Sequence, residues 1–275
     1  MVPAPLSSNR ISLPHVFLVS SYTDGITHPV SAVSYEEESS QVMAASGKTL
    51  VVSDLATSRT KRRLQGHMAT INDVVSNENV ILTASYDATV RIWDARSRSP
   101  EPIQVLSEAT DSVVAVAIDT RNGNAILRSA SVDGTVRTYD IRRGILQSDD
   151  CGSPVTSMAQ TRDGLNLALS CLDGHIRLVD VGTGQLVNTY SGHHQAGRFR
   201  LQCSFSGDDT TIVTGSEDGS VVFYDVVRGR NVQTLRGPTK PTCSIAPHPE
   251  PGCTDRILAA SYDGSVLVWE HNDMQ

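Results

Sequence analysis

The chain has 275 residues, 39% of them hydrophobic and 5% aromatic, and carries a net charge of −7 at pH 7. That length admits one large all-β unit or two ordinary domains, and the acidic balance argues against a protein dedicated to naked nucleic acid. No run approaches the roughly 18 apolar residues of a membrane-spanning helix. The opening stretch to Ser21 has one arginine, early prolines and only Val16–Val19 as an apolar patch, which makes a poor secretory leader. Cysteines 151, 171, 203, 243 and 253 show no CxxC spacing and fit a reducing compartment.

In chain order, residues 1–14 are expected to be a flexible N-terminus, followed by a spare apolar run from His15 to Ser21. A first, weak repeat starts a strand after His28, and Met43 to Asp54 supplies two more. The second repeat is the clearest. Ile81, Thr83 and Ser85 alternate with Leu82 and Ala84, Tyr86-Asp87-Ala88 turns the chain, and Thr89, Arg91 and Trp93 alternate with Val90 and Ile92. Gly66-His67 precedes Asp87 by twenty residues.

The same turn recurs at Asp133, Asp173, Asp218 and Asp263, at spacings of 46, 40, 45 and 45 from Asp87 onward. Six residues beyond each Asp stands a bulky residue: Trp93, Tyr139, Val179, Tyr224 and Trp269. Between the turns, Arg121-Asn-Gly-Asn, Thr161-Arg-Asp-Gly and Ser206-Gly-Asp-Asp join apolar runs as hairpin turns do. No helical periodicity longer than a turn and no linker is evident.

A Gly-His pair, a turn Asp and a Trp-Asp at this period resemble the WD40-repeat family. The resemblance implies an all-β propeller as a single domain over residues 1–275. Length allows about six four-stranded blades, with seven as the alternative count. In the first repeat Gly47 and Ser53 replace the Asp and Trp, so packing of Leu50, Val51 and Val52 must carry that blade. The last repeat has only three strands, near Thr242–Ala246, Ile257–Ser261 and Ser265–Glu270. The run His15–Ser21 is therefore expected to complete it and remove an open edge. The family's fold further implies a structural tetrad of His67, Asp87, Trp93 and a hydroxyl, Thr83 or Ser85, with Ser85 chosen as the fourth member. This constellation is read as structural and not catalytic, despite its likeness to part of a triad.

The loop from Trp93 through Arg-Ser-Arg-Ser-Pro-Glu-Pro, with the runs from Ser131 and Thr161, resembles the mitogen-activated protein kinase organizer family, also associated with the spliceosome. Members of that family usually carry a further N-terminal repeat, so the resemblance implies a chain that begins one blade late. The resemblance implies a non-enzymatic scaffold without cofactor, cytoplasmic and nuclear. Its partners would be kinase-cascade or spliceosomal proteins, with no direct nucleic acid or membrane, and the chain monomeric within larger assemblies.

Residues preceding the turn aspartates (Tyr86, Val132, Leu172, Glu217 and Tyr262) would share one face; Tyr86, Glu217 and Tyr262 are the candidate protein-binding residues there, beside the plainer reading that some pack between blades. On the opposite face Trp93-Asp-Ala-Arg96 and Tyr139-Asp-Ile-Arg142 match a [W/Y]DxR pattern used by substrate receptors of cullin–RING ubiquitin ligases, which makes Arg96 and Arg142 candidates for an alternative function. Arg91, Arg137 and Arg177, each four residues after a turn Asp, are expected between blades with acidic partners. His193 is read as the tetrad histidine of its repeat, and no metal site is expected. Ser97, Ser99 and Ser107 sit in or near a basic, proline-containing loop.

Overall fold

A computed structural model describes residues 21–36, 39–77, 79–97, 99–119, 126–248 and 256–270. The described residues form two compact units, one running to Val155 and one from Thr156 onward. Every regular element in them is a β-strand.

The first unit contains three antiparallel sheets. One comprises β1 (Val30–Glu36), β2 (Gln41–Ser46), β3 (Thr49–Asp54) and β4 (Thr60–Gln65). The next comprises β5 (Ile71–Asn77), β6 (Val80–Ser85), β7 (Val90–Asp94) and β8 (Gln104–Leu106). The third has β9 (Val113–Asp119), β10 (Ile126–Ser131), β11 (Thr135–Asp140) and β12 (Ile145–Asp150). The second unit repeats the plan. It holds β13 (Val155–Gln160), whose first residue falls at the boundary, with β14 (Asn166–Cys171), β15 (Ile176–Asp180) and β16 (Leu186–Tyr190). The sheet of β17 (Cys203–Phe205), β18 (Thr211–Gly215), β19 (Val221–Asp225) and β20 (Asn231–Leu235) follows. Last comes the sheet of β21 (Thr242–Pro247), β22 (Arg256–Ser261) and β23 (Val266–Glu270). These are six blades of the propeller type, all in sequential meander order.

Alternation decides what is buried. β6 and β7 pair Ile81 with Trp93 and Thr83 with Arg91, so these side chains share one face. That face meets the preceding blade, where Trp93 and Ile81 pack with Met43, Leu50, Val52 and Leu64. The other face, carrying Leu82, Ile92 and Val90, meets Val116, Leu127 and Tyr139 of the next. In the second unit Tyr190, Phe205 and Tyr224 fill one inter-blade layer, and Phe223, Leu235 and Trp269 the next. Blade-to-blade packing of aliphatic side chains, at about 25 cal/mol per Å² of buried apolar area, is the main stabilising term.

The first blade holds together without the turn Asp, as expected. Buried Leu50 and Val51 fill it, and the His28 ring lies against Gly47, which sits at φ 58°. The last blade shows three strands among the described residues. The expected closing strand, His15–Ser21, lies outside them apart from Ser21, as do residues 1–14, expected from the sequence to be flexible, and the Arg121-Asn-Gly-Asn turn.

Candidate functional site

Each turn aspartate does the same local work. Its Oδ1 accepts the backbone N–H two residues on, from Thr89, Thr135, His175, Ser220 and Ser265, at 3.0, 2.9, 3.0, 2.9 and 2.8 Å. This Asx turn fixes the hairpin tip and explains why Asp recurs even where the rest of the motif is lost.

In the second blade the full relay is present. His67 Nδ1 lies 2.9 Å from Asp87 Oδ2, His67 Nε2 lies 2.8 Å from Thr83 Oγ1, and the Trp93 indole N–H donates to Thr83 Oγ1 at 2.9 Å. The fourth member is therefore Thr83 and not Ser85. Both hydroxyls lie on the same strand face, but only the one four residues before the Asp stands between the imidazole and the indole. Ser85 instead contacts the entering loop at Thr70 O (2.9 Å) and accepts the Asp87 N–H (3.1 Å).

Serines at that second position recur. Ser131 donates to Asp111 O, Ser261 donates to Lys240 O, Ser216 accepts the Gln195 N–H and Ser46 the His28 N–H. The signal was legible as a serine two residues before the turn Asp in four of the five repeats that have one, Cys171 being the exception.

Protonation in this relay follows from geometry. Burial pushes His67 below its ordinary value, and Asp87 opposes that without reversing it. Burial also resists ionisation of Asp87, but Thr89, the Met68 N–H and His67 together hold its carboxyl below the usual range. A neutral imidazole donates from Nδ1 to a carboxylate, accepts the Thr83 hydroxyl at Nε2, and leaves Thr83 oxygen to accept the indole. The order Asp–His–hydroxyl imitates a nucleophilic triad, yet Thr83 is 0% exposed and its oxygen is committed to Trp93. No substrate carbon can reach it, so the arrangement is a structural brace.

In the third and fourth blades, which lack the histidine, arginine takes its place. Met68 N–H and Thr110 N–H both donate to the Oδ2 of their turn Asp, so Ala109 occupies the position equivalent to His67. Arg137 then clamps Asp133 with Nη1–Oδ1 3.3 Å and Nη2–Oδ2 2.9 Å. Arg177 clamps Asp173 in the same way, at 3.2 and 2.5 Å. The expected acidic partners exist, but they belong to the arginine's own blade. Among the described residues Arg91 has no such acid; its guanidinium lies against Gly66 because His67 already holds Asp87.

Burial opposes ionisation of Asp133, but Arg137 with the N–H groups of Thr110 and Thr135 outweighs it and brings the carboxyl down to about 2. A depressed folded pKa contributes stability above the unfolded value of about 3.9, and that contribution is lost as pH falls toward 2. Arg137→Met should raise the Asp133 pKa toward the ordinary range in a carbon-detected NMR titration. It should also move acid unfolding of this unit to higher pH.

The fifth blade departs further. His194, not His193, turns inward, 6% exposed, with Nδ1 2.8 Å from the Tyr224 hydroxyl. His193 is exposed. Burial, reinforced by His175 and His193, pushes His194 down to about 4. The Asp218 carboxylate is engaged by Ser220 rather than by a histidine. The sixth blade likewise engages Asp263 through Ser265, and its entering loop carries Pro238 where a histidine would stand.

The surface candidates separate into two kinds. Tyr86 is 68% exposed beside Met68 at 83%, both flanking Asp87, and Tyr262 is 51% exposed. The ring of Tyr262 meets Phe199 at 5.3 Å. Val132 and Leu172 are half-buried. Glu217 is turned to internal use: its Oε1 accepts the N–H groups of Arg198 (2.6 Å) and Phe199 (3.1 Å), so it positions the loop that bears Phe199. Arg96 and Arg142 are exposed, and their backbone N–H groups bond the Asp94 and Asp140 carboxylates. Among the described residues no group of three His, Cys, Asp or Glu is placed to hold a metal ion, and no helix is long and apolar enough to cross a membrane.

Compared with known proteins, the family model described as WD domain, G-beta repeat matches residues 58–94, 184–225 and 229–270. WD repeat domain-containing protein 83 of Rattus norvegicus is 39% identical over 174 residues, covering 63% of this chain and 52% of that protein. The WD repeat domain-containing protein 83 homolog of Dictyostelium discoideum is 25% identical over 263 residues, covering 86% of this chain and 80% of that protein. The chain spans about half the length of most curated relatives it matches. The computationally designed Ika8 protein superposes with a TM-score of 0.70 at 22% identity, covering 88% of this chain and 70% of that one, a likeness of fold alone.

Proposed function

From the premise that this is a WD40-repeat chain, we propose that it is a non-enzymatic scaffold that docks other proteins through the residues preceding its turn aspartates. The observation that carries this reading is the exposure of Tyr86 and Tyr262 on hairpin tips that the Asx turns hold rigid. Aromatic side chains presented in this way give large contact area at low entropic cost and are enriched among interface anchors. Replacing both by Ala should remove partner binding while leaving melting of the chain nearly unchanged; a large loss of stability would instead place the two rings in the core.

Within that scaffold role we assign partners in a mitogen-activated kinase cascade or in pre-mRNA splicing complexes, in cytoplasm and nucleus. Support comes from the resemblance of the inter-blade loop after Trp93 to the mitogen-activated protein kinase organizer family. A second reading, substrate receptor of a cullin–RING ubiquitin ligase, is favoured by the outward guanidinium groups of Arg96 and Arg142 at equivalent places after β7 and β11. It requires both arginines, whereas the scaffold reading requires neither.

A further inference from the structure

We propose that Ser99 is a phosphorylation site for a proline-directed protein kinase, and that Arg62 receives the phosphate. Three neighbouring cations on β4 differ in one respect. Lys61 pairs with Asp54 at 2.6 Å and Arg63 with Asp24 at 3.4 Å. Among the described residues no carboxylate lies within ion-pair distance of Arg62. Its guanidinium reaches instead to the loop joining β7 and β8, donating to Asp94 O (3.1 Å), Ala95 O (2.8 Å) and Ser99 O (3.2 Å). A half-buried cation is thus satisfied by neutral carbonyls alone, at a place where an anion would bind more strongly.

Ser99 is exposed, and its Oγ accepts only a local N–H, that of Glu101 at 3.2 Å, among the bonds the structure shows. Pro100 follows it, the feature that selects kinases whose substrate groove takes a residue lacking an N–H at that position. Ser97, by contrast, is half-buried and accepts the Ser99 N–H, so it is the less accessible hydroxyl.

In the transfer, Ser99 Oγ forms a bond to the γ-phosphorus of ATP and the bridging bond to the β-phosphate breaks. ADP leaves, and the hydroxyl proton passes to the kinase's carboxylate base. The product carries a charge of about −1.5 to −2 and three acceptor oxygens. Arg62 is already bonded to the carbonyl of the same residue, so the phosphate needs only a side-chain rotation to meet the guanidinium fork. Arg96 adds a second cation in that loop, while Asp94, occupied by the Arg96 N–H, and Glu101 oppose. The result is a loop tied to β4 by charge-assisted bonds, and with it the presentation of Arg96.

The full chain, treated with a proline-directed kinase and MgATP, should acquire one phosphate that tandem mass spectrometry places on Ser99 and that Ser99→Ala abolishes. In a phosphorus NMR titration, the second ionisation of the phosphoserine should fall below its ordinary value of about 6. Arg62→Met, checked to melt as the wild type does, should return it to that value. Phosphate incorporated only elsewhere would overturn the site. A titration identical in wild type and Arg62→Met would overturn the role of Arg62. Neither outcome depends on which partner the scaffold binds.

Discussion

Gly219→Ala should destabilise the C-terminal unit by roughly 2–5 kcal/mol, while Gly264→Ala costs about 1–2 kcal/mol. Both glycines follow a turn Asp and both sit at φ 84°, so the penalty for placing a side chain in the left-handed region is common to the two. The difference is in the neighbours. A Cβ on Gly219 would stand 1.9 Å from Pro238 O and 2.9 Å from Lys240 O, backbone atoms that cannot rotate away, whereas at Gly264 nothing lies within 4 Å. Ala88 occupies the same turn position in the second blade at φ 62°, which shows that the backbone angle alone is tolerated. Urea unfolding of the two variants in parallel isolates the close approach of the entering loop to the hairpin; equal losses would mean that the loop yields.

Thr83→Val should cost the N-terminal unit at least about 2 kcal/mol, although it keeps the side chain's shape. The substitution leaves His67 Nε2 and the Trp93 indole N–H without their shared partner, both in fully buried surroundings. Each orphaned buried group costs about 1–3 kcal/mol. Ser85→Ala should be milder, near the roughly 1 kcal/mol of an ordinary hydrogen bond, because the loop carbonyls it serves lie closer to solvent. Chemical denaturation of both variants measures this order, and the reverse order would restore Ser85 to the relay.

The two variants also mark where sequence reasoning reached and where it stopped. Strand–turn–strand periodicity around Asp87, Asp133, Asp173, Asp218 and Asp263 located the central hairpin of five blades, because alternation and Asx chemistry are local properties. Thr83 and Ser85 could not be separated by alternation, since both point to the same face; only the indole position of Trp93 distinguishes them. The exchange of His for Arg in the third and fourth blades was half visible, as arginine four residues after the Asp. Its partner was misplaced because a side chain long enough to reach back along its own strand looks, in sequence, like one aimed at a neighbour. Glu217 looked like a surface acid, and its use by the amides of Arg198 and Phe199 depends on a loop path that no periodicity encodes. His194 displaced His193 for the same reason: the entering loop of the fifth blade has its own path.

The scaffold account is tested most directly by affinity purification of the full chain with mass spectrometry, from nuclear and cytosolic extracts separately. Wild type is run beside the Tyr86→Ala, Tyr262→Ala variant and the Arg96→Ala, Arg142→Ala variant. The account predicts splicing or kinase-cascade proteins on the wild type, lost with the tyrosines and retained without the arginines. A cullin adaptor captured by the wild type and lost with the arginines, with the tyrosine variant unaffected, would contradict it.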